Sequence, residues 1–194
     1  MKTTAQKAPV KTAVKSTPKT NPEKKTRQLK PPIDGLRVLF VAGLKDIYWA
    51  EKALAKALPK LAEKATSRNL TTVITEHLAV TESQIIRLEQ VFDVIRIKAA
   101  AKKCKAMEGL IAEAQDSIGN TEAGPVRDAG IIAASQKIEH YEIATYGTLA
   151  SFAKTLGEEF AAKLLHETLK EEKAADLALT ETAYDAINFH AAVD

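Results

Sequence analysis

The sequence predicts an all-α protein: two helical hairpins joined by a long crossover that carries a short extra helix. Three observations support this. Ala, Leu, Glu and Lys, the strong helix formers, dominate a chain of 194 residues with 5 % aromatics. Apolar residues recur at three- and four-residue steps through four long stretches. Gly119, Gly124, Pro125 and Gly157 mark the breaks between the later stretches.

Residues 1–33 stand apart as a Lys/Pro/Thr/Ala-rich segment. The first 32 residues hold eight Lys, one Arg and one Glu, a charge of +8, so the remainder carries −5 of the total +3. With five of the seven prolines and no aromatic residue, this segment cannot bury enough surface to offset its ordering entropy. A disordered basic tail is expected. It is either a solubilising tail or, through residues 2–30, a contact for nucleic acid, since spaced lysines displace counterions from phosphates.

The first helix is expected from about Leu36 to Ala65, with Asp34 as N-cap. Phe40, Leu44, Ile47, Leu54, Leu58 and Leu61 form its apolar stripe. Glu51 sits on that stripe between Ile47 and Leu54, with Tyr48 near the same face. Asp46 falls off it and is expected to be exposed, and Pro59 interrupts the pattern. After Ser67-Arg68, Asn69 is a candidate cap for a second helix reaching about Ile97. The short break makes the two helices an antiparallel hairpin. The second stripe is Ile74, Leu78, Ile85, Leu88, Val91 and Phe92. His77, Thr81 and Gln84 run along one edge, Glu82 and Glu89 along the other.

A basic connection leads to a short third helix, about Cys104 to Ile118, with Met107, Leu110, Ile111 and Ala114 inward. Cys104 reads as a small buried hydrophobe. Gly119 to Pro125 breaks the chain. The fourth helix, about Val126 to Leu156, carries Ile132, Ile138, Leu149, Phe152 and Leu156 on one face, with Glu139, Glu142 and Tyr146 on or beside it. Gly157 ends it. The fifth, about Glu158 to Thr182, carries Phe160, Leu165, Leu169 and Leu179. Glu172 and Asp176 interrupt that stripe, and Glu171 lies on its edge. A bundle over 34–185 and a frayed end at 186–194 are expected.

Hairpin, crossover, hairpin is the ferritin-like four-helix topology. A carboxylate directed into a bundle core is expensive unless something positive meets it. Here three long helices direct carboxylates inward, and oxygen-rich sites of that kind suit iron or manganese. Di-iron bundles place Glu-x-x-His on two helices. The residues three before His77, His140, His166 and His190 are Ile74, Lys137, Lys163 and Ile187, so that motif is missing. The alternative is a bundle whose inward acids pair with Lys or Arg, or line a dimer face.

Several blocks resemble the YciE/YciF ferroxidase family. They are Asp46-Ile47-Tyr48-Trp49-Ala50-Glu51-Lys52-Ala53-Leu54 with Ala57-Leu58-Pro59-Lys60, then Arg87-Leu88-Glu89, then Cys104 through Leu110, and Val126-Arg127-Asp128-Ala129. Ile131 to Leu149 matches best, with Gln136, Glu139-His140-Tyr141-Glu142 and Tyr146-Gly147-Thr148. Thr168 through Lys173, with Asp176, matches the last helix. The resemblance spans about Leu36 to Thr182. It implies a ferritin-like stress-response protein, a homodimer, with a di-iron or di-manganese centre that oxidises Fe(II) with oxygen or peroxide. It marks Glu51, Glu139, Glu142, Glu171, Glu172 and Asp176 as the acidic positions, and His77 and His140 as the histidines; the metal ligands drawn from these are Glu51, His77, Glu139, Glu142, Glu171, Glu172 and Asp176. One departure stands out: where the family runs Leu-Glu-Glu-Thr after the second-helix histidine, this chain has Leu78-Ala79-Val80-Thr81. Glu82 is the candidate substitute. The competing readings are a non-catalytic helical dimer and a nucleic-acid-associated protector.

One cysteine precludes an internal disulfide and favours a reducing compartment. No apolar run approaches the roughly 18 residues of a membrane span. No apolar core follows the basic start as in a signal peptide. A cytoplasmic protein with no membrane contact is expected.

Overall fold

The computed structural model describes residues 33–193. The basic segment, and the side chain of the expected cap Asp34, lie outside the described residues. The order is α1 (Ile33–Lys64), α2 (Arg68–Val94), α3 (Lys105–Gly119), α4 (Pro125–Thr155) and α5 (Glu159–Thr182). A π-helical turn (Ala183–Ile187) and α6 (Asn188–Ala191) follow. Among the described residues there is no strand.

Helices α1 and α2 pair as one hairpin and α4 and α5 as the other. The hairpins pack with α2 against α5 and α1 against α4, and α3 lies across α1 and α4. Four long helices therefore surround one core, and their inward stripes meet along its axis. The predicted all-α bundle, with a short helix in the crossover, is the observed architecture.

Local chemistry sets the boundaries. Phe40, Leu44, Ile47, Leu54, Leu58 and Leu61 are all buried, and α1 continues past Pro59 to Lys64. Pro59 sits on the exposed side, where its missing N–H leaves one carbonyl turned to water. The cap of α2 is Ser67, two residues before the expected Asn69; its hydroxyl accepts from the Leu70 N–H at 3.4 Å. Arg96, at φ 58°, closes the end of α2. Cys104 caps α3, its Sγ accepting from the Met107 N–H at 3.4 Å. Pro125 opens α4 at the first turn, where a missing N–H costs nothing. Gly157, at φ 75°, lets the chain reverse into α5.

Three expectations change. Asp46 is half-buried, accepting from the Tyr141 hydroxyl at 2.7 Å; Tyr141 also lies 3.1 Å from Cys104 Sγ. Phe160 is exposed, because Ala161, Leu164, Leu165 and Thr168 form the buried face of α5 and Phe160 is turned about 100° off it. Residues 186–191 are not frayed: Ala183 and Ile187 are buried and hold the helical end through the π turn onto α4.

Candidate metal centre

Each long helix delivers site residues by its own periodicity. On α1, Glu51 lies within the Ile47–Leu54 stripe and is fully buried. On α4, Glu139, Glu142 and Tyr146 follow at three- and four-residue steps and share one buried face. On α5, Glu172 occupies the stripe between Leu169 and Leu179. On α2, His77, Thr81 and Gln84 are buried on the edge that turns toward the core.

The bundle brings these together. One ligand atom each from His77, Glu139, Glu142 and Glu172 lies within 4.8 Å of the others. Glu51 adjoins the group, its carboxylate held by the Tyr146 hydroxyl, which donates to Oε1. His77 Nε2 stands 3.2 Å from Glu139 Oε1, yet neither imidazole nitrogen makes a hydrogen bond.

Two expected ligands are placed elsewhere. Glu171 faces α2, where Arg87 grips it with two hydrogen bonds of 2.5 and 2.7 Å and Gln84 adds a third at 3.2 Å. Asp176 is half-buried beside Gln136 and His140, each contact at 3.5 Å. His140 itself is exposed. Glu82 is exposed as well, so it does not replace the acids missing at Ala79 and Val80. Thr81 and Gln84 enter the site's wall instead. Their spacing from His77, four and seven residues, is the helical signal that marks them.

Comparison with known proteins places the chain. Residues 35–192 match a family model described as a domain of unknown function, DUF892. The chain belongs to the DUF892 family. Protein YciF of Escherichia coli (strain K12) is 50 % identical over 151 residues, covering 77 % of this chain and 91 % of YciF. The crystal structure of the E. coli stress protein YciF superposes with a TM-score of 0.76 at 49 % identity, covering 79 % of this chain and 97 % of that one. YcfI from Rhodopseudomonas palustris gives 0.74 at 42 % identity, covering 80 % and 96 %. A protein from Xanthomonas campestris pv. campestris, at 21 % identity and a TM-score of 0.64 over 81 % and 96 %, shares the fold. This DUF892 member is thus a homologue of the stress protein YciF, and the YciE/YciF resemblance read from the sequence holds.

The donor set of this DUF892 chain fits a metal ion. Six buried carboxylate oxygens, on Glu51, Glu139, Glu142 and Glu172, have no hydrogen-bond partner, nor do the two nitrogens of His77. Buried polar atoms are rarely left so. Carboxylate oxygens with one imidazole are donors that a divalent cation can use.

The same crowding sets the protonation of the metal-free site. Burial, and then the Glu172 charge, raises Glu51 well above the usual carboxylate range. Burial likewise raises Glu142 and Glu172, with Glu51 and Glu139 as their respective strongest charged neighbours. Burial pushes Glu139 up to about 8 and His77 down to about 4.

Between pH 4.5 and about 8 the folded chain holds a proton on Glu139 that the unfolded chain has released. Glu139 therefore contributes stability that is full below 4.5 and lost as pH rises through 8. His77 acts oppositely: its contribution is present above 6.5 and lost as pH falls toward 4. Above pH 6.5 only the carboxylates act. The stability of metal-free protein is expected to fall from pH 6.5 to 8.5, by about 1.4 kcal/mol per pH unit for each proton difference, and its melting temperature with it. A rise or a flat profile in calorimetry contradicts this protonation scheme.

Proposed function

We propose that this protein is a ferritin-like stress protein whose bundle core holds iron or manganese, two ions by its carboxylate supply, and that it oxidises Fe(II) with oxygen or peroxide. The supporting observation is the set of partnerless buried oxygens around His77. Glu139, Glu142, Glu172 and His77 would hold the metal, with Glu51 completing the set. Bound there, iron or manganese supplies electron transfer from Fe(II) to oxygen or peroxide. Tyr146 fixes the Glu51 carboxylate through its hydroxyl. The four-helix frame holds the remaining ligands ready, and the apolar layers around them restrict water. Arg87 holds Glu171 outside the group through two hydrogen bonds.

We place the protein in the cytoplasm as a homodimer. Exposed Val38 and Leu39 on α1 and Phe160 on α5 support the dimer, since the Arg37–Glu158 ion pair of 2.6 Å brings the starts of these two helices together. Among the described residues no helix is long and apolar enough to cross a membrane.

Anaerobic loading with Fe(II), desalting and metal analysis test the main reading. About two irons per chain are expected, with Fe(II) oxidised faster than in buffer once oxygen or peroxide is added. Light scattering of the same sample is expected to show two 21.0 kDa chains. Less than about a tenth of an iron per chain, with oxidation at the buffer rate, leaves the helical dimer with structural acids as the reading.

The +8 charge of the first 32 residues supports a second role in nucleic-acid contact. Binding of duplex DNA is expected to weaken steeply with salt and to vanish when residues 1–32 are deleted. Salt-insensitive binding, or unchanged binding by the truncated chain, removes this role.

A further inference from the structure

A cavity of about 260 Å³ lies directly against the acidic group. Each long helix reaches it by stepping away from its own site residue in the same direction along the bundle. Helix α1 steps from Glu51 to Leu54, α2 from His77 back to Ile74, α4 from Glu139 back to Ser135, and α5 from Glu172 on to Ala175 and Ala178. His77 and Glu139 themselves form part of its wall. The space exists because α5 offers alanines where the facing helices offer Leu54, Ile74 and Ile138. A void of ~150 Å³ suffices for benzene, so this one has room for roughly an eight-carbon chain at interior packing density.

Two features show that the cavity is not merely a packing gap. The Ser135 side chain is 5 % exposed, lines the cavity, and its hydroxyl has no hydrogen-bond partner. The imidazole of His77, in the same wall, is also without a hydrogen bond. An otherwise apolar chamber thus presents two polar handles at the end nearest the acids.

We propose that this cavity binds a small neutral alcohol, its hydrocarbon body among Leu54, Ile74 and Ala178 and its hydroxyl toward Ser135 and Glu139. Charge selects the class. Exposed Glu76, half-buried Glu171 and buried Glu139 all line the cavity, while Arg87 is engaged by Glu171. In the metal-free protein a carboxylate or sulfate head therefore finds no free cation among the described residues of the wall and meets the acids Glu76 and Glu171. A hydroxyl accepts from Ser135 and donates to the partnerless oxygen of Glu139, which satisfies both sides at once. That the alcohol is presented to a metal rests on the function proposed above; its binding to the cavity does not.

Titration calorimetry of the full chain with octan-1-ol and octanoate tests the proposal, in metal-free protein and after Co(II) loading. Octan-1-ol is expected to bind one per chain, with octanoate at least tenfold weaker in the metal-free protein. Ser135→Ala is expected to weaken octan-1-ol several-fold, and Ala178→Leu, which fills the chamber, to abolish it. Ala175→Val provides the same test should Ala178→Leu not fold. In Co(II)-loaded protein, octan-1-ol is expected to shift the cobalt absorption bands. Equal binding of octanoate, or undiminished octan-1-ol binding by a folded chamber-filling variant, overturns the proposal. If Co(II) does not bind at all, the metal reading fails by itself, and the metal-free titrations still decide the cavity.

Discussion

Glu142→Gln is expected to raise the melting temperature of the metal-free protein and, in the same molecule, to remove its metal. Both carboxylate oxygens of Glu142 are buried without a hydrogen-bond partner. Burial, then the charges of Glu51 and Glu172, makes its ionised form unfavourable. Glutamine keeps the shape, carries no charge, and brings an amide that donates to the neighbouring carboxylates. Relieving an uncompensated buried acid is worth about 1–3 kcal/mol, which corresponds to roughly 2–12 °C for a chain of this size. The gain is expected to be larger at pH 8 than at pH 5, because the glutamate must hold its proton against the higher pH. Metal content is expected to fall at least tenfold, since an amide is a poor ligand beside a carboxylate. Glu82→Gln, on the exposed side of α2, serves as control and is expected to change neither quantity. A Glu142→Gln protein that melts lower at pH 8, or that keeps its full complement of metal, argues for structural acids. Opposite signs for stability and metal binding are what separate a ligand from a packing residue.

Asp128→Ala is expected to produce the largest loss of stability away from the metal group. Asp128 lies in the first turn of α4 and is 2 % exposed. It accepts from the Thr66 N–H at 2.8 Å, the Thr66 hydroxyl at 2.6 Å and the Ser67 N–H at 2.8 Å. One carboxylate thereby fastens the α1–α2 turn to the start of α4. Alanine leaves two backbone N–H groups and a hydroxyl without an acceptor, a loss of roughly 3 kcal/mol and about 6–12 °C. Asp128→Asn retains one oxygen acceptor and is expected to fall between the two. Thermal melts followed by circular dichroism measure both, and metal content per folded chain is expected to stay unchanged. A loss for Asp128→Ala below about 0.5 kcal/mol would mean that solvent replaces these bonds at no cost.

Glu51, Glu139, Glu142 and Glu172 were legible as inward acids because each interrupts an apolar stripe at helical spacing, and spacing on one helix is a local property. Glu171 and Glu172 differ by one residue, hence by about 100° of rotation. Rotation alone put Glu171 on the edge; that the edge faces Arg87 and Gln84 of α2 depends on how the second hairpin docks on the first. His77 had no acid three residues before it, and its approach to Glu139 crosses from α2 to α4. No single-helix motif can carry such a pairing. Phe160 misled because a large apolar residue at a helix start reads as core, whereas Ala161 and Leu164 set the true buried face. Asp46 and Cys104 meet through Tyr141, a contact between residues 37 to 95 positions apart.

By itself, then, the amino-acid sequence determined the helices, their inward faces, the hairpin–crossover–hairpin order and the family, because periodicity, caps and breaks act within a few residues. Only the tertiary structure decided which acids share a site, that Arg87 holds Glu171 outside it, that His77 meets Glu139 across two helices, and that α5 leaves an alanine-walled chamber at its side. Those outcomes turn on distances of a few ångströms between helices, and such distances are set by how four side-chain surfaces interlock at once.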